Sequence, residues 1–399
     1  MHRKNKIKVI LCGGGTGGHI FPMISIANEL KNENKENEIL FVGSRDRMEM
    51  EIVPKHNFKI IGLWISGIKR SSILLNILFA GIPFFLQNFL LPLKLLYSIF
   101  RSIYILYTFK PDFVIGFGGY SSGPFVFISN FLRFKTAIQE QNSSMGLTNK
   151  FLVNRVDHVF VAYEKLKKIY PNKPIHNFGN PIRGLRVDDS IKPYEHFKLE
   201  KDKKTVLVLG GSLGAKNIND AIINNISLIR ESSYQILWQT GKLYYDEIQN
   251  HNYQEKNLVI KPFIDRMDLA YSVADLIISR AGAIAISELC VVAKPLILIP
   301  SPNVVDDHQT KNALEISERG GCVLIKDSDA KDLMMNKSIE ILEDQKLIDS
   351  MKANLRELSM PNASSNIVEK IYESLWSVSY THLRAHETSL HLVCRLLLE

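Results

Sequence analysis

The chain has 399 residues, 46% hydrophobic and 23% charged, which excludes a disordered or fibrous protein and leaves room for two buried cores. A formal net charge of +8 fits a nucleic acid, an anionic membrane face or a phosphorylated substrate without choosing among them. Cys12, Cys290, Cys322 and Cys394 are far apart, with no histidine at metal spacing, which argues against a disulfide framework or a zinc site and suits a reducing compartment.

In chain order, the apolar run Ile7–Cys12 is too short for a signal-peptide core and ends in glycines. Lys8–Cys12 therefore reads as a buried strand of a protein that stays in the cytoplasm. The Gly13–Gly18 loop follows, then a helix over about Phe21–Leu30. Glu38–Gly43, Asp112–Phe117 and Thr136–Gln139 read as further strands. The stretch Ser71–Leu93 has no charged residue and is long enough to span a bilayer. Asn76, Gln87, Asn88, Pro83 and Pro92 make it a poor lone spanning helix. The favoured reading is a segment in the membrane interface, with Lys69, Arg70, Lys94 and Arg101 toward lipid head groups. A buried helical pair is the alternative, because periodicity does not separate a core face from a lipid face.

The pattern restarts after the charged, proline-containing stretch Arg183–Lys204. Thr205–Leu209 is a strand, Gly210–Ala215 a second strand-end glycine loop, and a helix starts at about Asn217. Strands recur at Gln235–Gln239, Leu258–Ile260, Leu276–Ser279, Leu296–Ile299 and Val323–Ile325, and Ser365–Trp376 reads as a last helix. Two strand–glycine loop–helix openings imply an α/β chain of two Rossmann-like domains with parallel sheets. The expected divisions are 1–182, 183–362, a helix at 363–377 that crosses back to the first domain, and an atypical tail at 378–399. That tail continues no pattern and is read as an artefact, its His382, His386 and His391 included, rather than as a metal site.

Four motifs carry chemistry. Gly13-Gly14-Gly15-Thr16-Gly17-Gly18-His19 stands at a strand end and opens a helix, where glycine admits a close ligand and the helix start favours an anion. Its G-x-G-x-x-G spacing equally fits a nicotinamide dehydrogenase, with Asp46 on the ribose. His19, at the loop exit, suits a general base near neutrality. Gly116–Pro124 is a second glycine-rich turn, and two such loops on one sheet edge make an anion-binding rim. In Gly210–Ala215, Ser212 and nearby N–H groups would donate to a nucleotide diphosphate. In Ser279–Glu288, small residues open a helix and Glu288 follows to accept ribose hydroxyls.

These loops, with Gln139-Glu140-Gln141-Asn142, Gly179-Asn180-Pro181-Ile182-Arg183 and Asp307-His308-Gln309, occur in one order that resembles the MurG family. This is the bacterial UDP-N-acetylglucosamine–lipid-linked muramyl-pentapeptide N-acetylglucosaminyltransferase family. The resemblance runs from about Lys8 to Trp376. It implies a GT-B fold, two Rossmann-like domains facing across a cleft, and an inverting transfer of N-acetylglucosamine to undecaprenyl-pyrophosphoryl-MurNAc-pentapeptide (lipid I). It implies no cofactor, no catalytic metal and no nucleic acid. The partners are UDP-N-acetylglucosamine, lipid I and the cytoplasmic face of the inner membrane; other cell-wall synthesis proteins are candidates.

Carried over by position, Thr16, Gly17 and Gly18 line the donor sugar and acceptor side. Asn142 and Arg183 reach toward the donor from the first domain. Ser212 binds diphosphate, Ile264 lies against the uracil with Ala283 nearby in the site, Glu288 takes the ribose, and Gln309 meets the donor sugar. Many relatives carry His where Gln139 stands, so Gln139 is no base and His19 takes that role. His308 stands where a glutamine is common and receives no proton-transfer role. A dehydrogenase, a different GT-B transferase and a non-catalytic membrane-surface protein are the competing readings.

Overall fold

A computed structural model describes residues 5–67, 90–184, 191–251, 253 and 255–376. Most of the charge-free stretch, part of the interdomain stretch, and the tail with its three histidines and Cys394 lie outside the described residues. Among those described, one compact unit comprises the residues up to Gln141, Met145–Pro181 and those from Asn362 onward. The other comprises Asn142–Ser144 and Ile182–Pro361.

The first unit is built on a seven-stranded parallel sheet, ordered β3-β2-β1-β4-β5-β6-β7. These are β1 (Lys8–Cys12), β2 (Glu38–Ser44), β3 (Lys59–Leu63), β4 (Phe113–Gly116), β5 (Lys135–Glu140), β6 (His158–Val161) and β7 (Ile175–Asn177). The second is built on a six-stranded parallel sheet, ordered β10-β9-β8-β11-β12-β13. Its strands are β8 (Thr205–Leu209), β9 (Gln235–Gln239), β10 (Leu258–Lys261), β11 (Leu276–Ser279), β12 (Leu296–Leu298) and β13 (Val323–Leu324). Central strands such as Val-Ile-Leu-Cys of β1 and Leu-Ile-Ile-Ser of β11 are buried throughout. Parallel strands covered by helices on both faces require such unbroken apolar runs.

Each sheet has one apolar cluster on either face. Val9, Leu11, Met23 and Phe41 lie in one cluster of the first unit, and Ile10, Cys12, Val42 and Val114 in the other. The helical residues 363–376 complete the former with Ile367, Val368, Ile371 and Tyr372. Asn37 Nδ2 donates to the Tyr372 hydroxyl at 2.7 Å. In the second unit Trp238 is fully buried, its indole N–H donating to Asn219 Oδ1 at 3.0 Å.

Strand order reverses at β1/β4 and again at β8/β11. At such a point the flanking helices lie on opposite faces and leave a crevice at the strand ends. Register pairs Cys12 with Gly116 and Leu209 with Ser279, so the ends of each central pair are level. The glycine loops after β1, β4 and β8, and the small-residue turn after β11, thus stand at the two switch points.

The sequence reading lacks β3, β6 and β7. It also starts the first long helix too late: the helix runs Gly17–Glu33, because Gly17 and Gly18 are helical rather than loop.

Candidate functional site

In the first unit, the loop after β1 folds around a carboxylate that sequence reasoning missed. Glu49 is fully buried. Its Oε1 accepts the Ser44 N–H and its Oε2 the Gly15 N–H, both at 2.9 Å. Gly14 has φ +152°, and a Cβ there would overlap the Glu49 carboxylate, so only glycine fits. The reading of this loop as an anion cradle is therefore corrected in part. The Gly13 N–H donates to Val42 O and the Gly15 N–H to Glu49, so two of its donors face inward.

Thr16 is the N-cap of the helix Gly17–Glu33, and Gly17 and Gly18 are its first residues. His19 Nδ1 lies 2.8 Å from Gly14 O and 3.4 Å from Thr16 Oγ1. A carbonyl only accepts, so Nδ1 is the donor here, and it is Nε2 that holds the lone pair when the ring carries one proton. Nε2 faces the loop after β4: a Cβ at Gly118 would stand 3.1 Å from it. A Cβ at Gly119 would stand 2.7 Å from Gly14 O, so the two glycine loops touch through backbone.

Gln139 is buried and belongs to an amide network. Its Nε2 donates to Asn180 Oδ1 at 2.8 Å, and Asn180 Nδ2 donates to Gln141 O at 3.0 Å. Asn142 departs from expectation: it groups with the second unit, where its Oδ1 accepts from Asn312 Nδ2 at 3.1 Å. Arg183 likewise belongs to the second unit.

In the second unit Ser212 is exposed on the loop after β8, where Gly211 and Gly214 have positive φ. Lys242 N donates to Ser212 O at 3.3 Å. Gln239, at the end of β9, is a second residue that sequence reasoning missed. Its buried amide donates to Gly211 O at 3.0 Å and accepts from Ile264 N at 2.9 Å, joining the two loops. Ile264, expected against the uracil, follows β10 on the loop that Gln239 holds. Its side chain is 2% exposed and packed with Leu209 and Leu237, so Ile264 offers main chain only. The neighbouring Phe263 ring is exposed, with Lys242 Nζ 5.9 Å from its centroid.

Glu288 is buried on the helix Ala283–Val292, which opens with Ala283. Arg183 Nε meets its Oε1 at 2.9 Å and Nη2 its Oε2 at 3.2 Å, while the Tyr271 hydroxyl donates to Oε2 at 3.1 Å. Burial first, then the Glu288 carboxylate, pushes the Tyr271 phenol well up, so it remains a donor. Arg280 is structural, donating to Ile299 O at 3.0 Å, Pro300 O at 3.1 Å and the Asp327 carboxylate. Gln309 Oε1 accepts the Ser301 N–H at 2.8 Å, so what its amide has left to offer is the Nε2 donor. The preceding Asp306 and Asp307 are left-handed at φ +55° and +49°, strain that loops at functional sites tend to hold.

Among the described residues no group of three or more His, Cys, Asp or Glu could hold a metal. Burial raises the Cys290 and Cys322 thiols to about 12, which disqualifies both as nucleophiles.

Residues 9–161 match the glycosyltransferase family 28 N-terminal domain and residues 205–367 the family 28 C-terminal domain. The chain belongs to glycosyltransferase family 28. Family 28 relatives named UDP-N-acetylglucosamine–N-acetylmuramyl-(pentapeptide) pyrophosphoryl-undecaprenol N-acetylglucosamine transferase include one from Christiangramia forsetii. It is 46% identical over 371 residues, covering 92% of this chain and 98% of the relative. One of the same name from Flavobacterium psychrophilum is 44% identical, covering 91% and 96%. The fold agrees with family 28: MurG of Acinetobacter baumannii superposes with a TM-score of 0.70 at 27% identity, covering 92% of this chain and 100% of that one. A UDP-N-acetylglucosamine 2-epimerase, 14% identical with a TM-score of 0.62 over 94% and 98%, shares the fold alone. The two sheets are thus the two Rossmann-like domains of a GT-B glycosyltransferase.

Proposed function

We propose that this family 28 enzyme transfers N-acetylglucosamine from UDP-N-acetylglucosamine to the C4 hydroxyl of the muramyl sugar of lipid I, forming lipid II. The substrates follow from the names of relatives that match nearly the whole chain. The chemistry rests on one observation: the Nδ1–H of His19 is held by Gly14 O, which makes Nε2 a proton acceptor at the loop exit.

In this reading the first unit holds the acceptor and the second the donor. His19 Nε2 takes the C4 hydroxyl proton as that oxygen attacks the anomeric carbon. The anomeric carbon–oxygen bond breaks with inversion, and UDP leaves with its charge growing on the diphosphate. Ser212 and the N–H groups opening the helix Lys216–Asn224 face that charge as fixed dipoles. Glu288 takes the ribose, main chain at Ile264 meets the uracil, Ala283 lines the ribose side, Arg183 turns toward the donor, and Gln309 donates to its sugar. Thr16, Gly17 and Gly18 border the donor sugar and acceptor, with Asn142 reaching toward the donor.

The enzyme works peripherally on the cytoplasmic side of the inner membrane, where its lipid-anchored acceptor is held. Among the described residues no helix is long and apolar enough to cross a membrane. The helix Leu91–Phe109 does expose Leu93, Leu96, Tyr97, Phe100, Tyr104 and Tyr107 at helical spacing, beside Lys94 and Arg101. An apolar stripe flanked by cations fits the interface of an anionic bilayer.

The test is transfer of label from UDP-N-acetylglucosamine to lipid I, with UDP-N-acetylgalactosamine in parallel and EDTA in both. Transfer from the glucosamine donor alone, unaffected by EDTA, is expected. A folded enzyme that binds UDP but transfers nothing to lipid I would refute the acceptor assignment.

A further inference from the structure

Glu49 has no part in the reaction as written, yet it holds the loop that carries the base. We propose that Glu49 is a positioning residue for His19, acting through the single peptide unit Gly14–Gly15. The inference rests on the reading of His19 as the general base.

The geometry is that of one plane gripped at both edges. The Gly15 N–H and the Gly14 C=O belong to the same peptide group, which is trans like every peptide described. In a trans peptide these two groups point in opposite directions. Glu49 Oε2 takes the N–H at 2.9 Å, and His19 Nδ1 donates to the C=O at 2.8 Å. Turning the N–H toward Glu49 therefore turns the C=O toward His19. The carboxylate is in turn anchored to the end of β2 through the Ser44 N–H. Gly14 and Gly43 make room for it, since a Cβ at Gly43 would stand 2.6 Å from Glu49 Cγ.

The chain carboxylate–peptide–imidazole does what a directly bonded carboxylate does for the histidine of a hydrolase triad. It fixes the tautomer with the lone pair on Nε2. A buried carboxyl that accepts two N–H bonds polarises the peptide between, strengthening Gly14 O as an acceptor while the imidazolium forms. No proton passes along this chain. The arrangement also explains an acidic side chain under a glycine loop: it takes the Gly15 N–H, so no phosphate needs to occupy that donor.

The test is a double-mutant cycle on the full chain, E49Q, H19A and E49Q/H19A, assayed for transfer to lipid I, with the ¹⁵N spectrum of the His19 ring recorded alongside. E49Q should lower kcat by about 10- to 100-fold, the scale of a small misplacement of a catalytic group. The double variant should be no slower than H19A, and the ring of E49Q should lose its single tautomer. An E49Q that turns over within twofold of the parent, or that slows H19A as much as it slows the parent, overturns the proposal. Near-normal turnover of H19A would sink the base reading instead, while the ring spectrum still reports whether Glu49 sets the imidazole. If E49Q fails to fold, E49D enters the same cycle: its shorter carboxylate cannot keep both N–H bonds.

Discussion

Arg183 covers both carboxylate oxygens of Glu288, Nε on one at 2.9 Å and Nη2 on the other at 3.2 Å. In the function proposed, the two hydroxyls of a ribose would take the place of these two N–H donors. The Arg183 side chain is 46% exposed against 8% for Glu288, so the arginine is the partner that can leave. Nucleotide binding should exchange one pair of donors for the other and release a guanidinium for the diphosphate. R183A should therefore bind uridine as tightly as the parent or tighter, yet bind UDP more weakly. E288Q should weaken both by about tenfold or more, the worth of hydrogen bonds to a charged acceptor. Calorimetry with uridine and UDP decides the matter; weaker uridine binding by R183A would show that the arginine supports the ribose site rather than occupying it.

Gln239 makes a prediction about affinity rather than chemistry. One buried amide spaces the Gly211 loop from the Ile264 loop, so in the function proposed both ends of the nucleotide would depend on it. Q239M should raise KM for UDP-N-acetylglucosamine by about tenfold, with kcat nearly unchanged at saturation. Steady-state kinetics at saturating acceptor gives both constants. A fall in kcat with constant KM would place Gln239 in the chemical step instead.

The exposed stripe of the helix Leu91–Phe109 should govern membrane affinity. Replacing Phe100 and Tyr104 by Asp removes two large apolar contacts, each worth about 1.5–3 kcal/mol when fully buried. Co-sedimentation of F100D/Y104D with vesicles containing anionic lipid should fall at least tenfold (about 1.4 kcal/mol). UDP affinity should stay at the parent value. Undiminished sedimentation would move the membrane contact elsewhere.

His158 predicts how stability depends on pH. Its Nε2 meets Ser374 Oγ at 3.0 Å and its Nδ1 lies 3.3 Å from His176 Nε2, under the helical residues 363–376. Burial, then the charges of His176 and Lys370, lowers its pKa to about 4; Asp157 opposes this and Lys135 adds to it. A lowered histidine pKa means that the unfolded chain binds the proton first. Stability is then full above about pH 6.5 and declines as pH falls toward about 4. The loss should be on the order of 2 kcal/mol, given partial exposure. Urea midpoints at pH 7.5 and 5.0 should converge in H158Q relative to the parent. Equal pH dependence in both proteins would mean that other groups set the slope.

All six strands of the second unit are legible in the sequence as short apolar runs, and those of β8, β11 and β12 are buried throughout, as in Val-Leu-Val-Leu of β8. β6 and β7 are not: β6 has four residues and opens on His158, and β7 has three with His176 at its centre, His158 stacking on Phe160 and His176 tilted against it. β3 is an edge strand whose residues are mostly only half buried, so its run is brief. Of the site, Ser212 and His19 stand out because glycine loops at strand ends advertise them. Glu49 does not: it sits in the charged string Arg45–Glu51, which reads as surface, and only the gap left by Gly14 and Gly43 takes it inside. Gln239 offered a weak signal, a polar residue ending an apolar strand just before Thr-Gly-Lys. At Ile264 the sequence does not tell which way the side chain points; burial among Leu209 and Leu237 shows that it points into the core.

The packing of Tyr372 against Asn37 sets an order of events during synthesis. These partners stand 335 residues apart, and Ile367, Val368 and Ile371 join the same cluster as the first strand. A ribosome delivers the whole second unit before it delivers the helix that finishes the first. The earlier-made half therefore waits with an open apolar face, while the later-made half has all its core strands in hand. Truncation before residue 363 would leave the N-terminal half permanently in that waiting state, and it is the half a chaperone would hold longest.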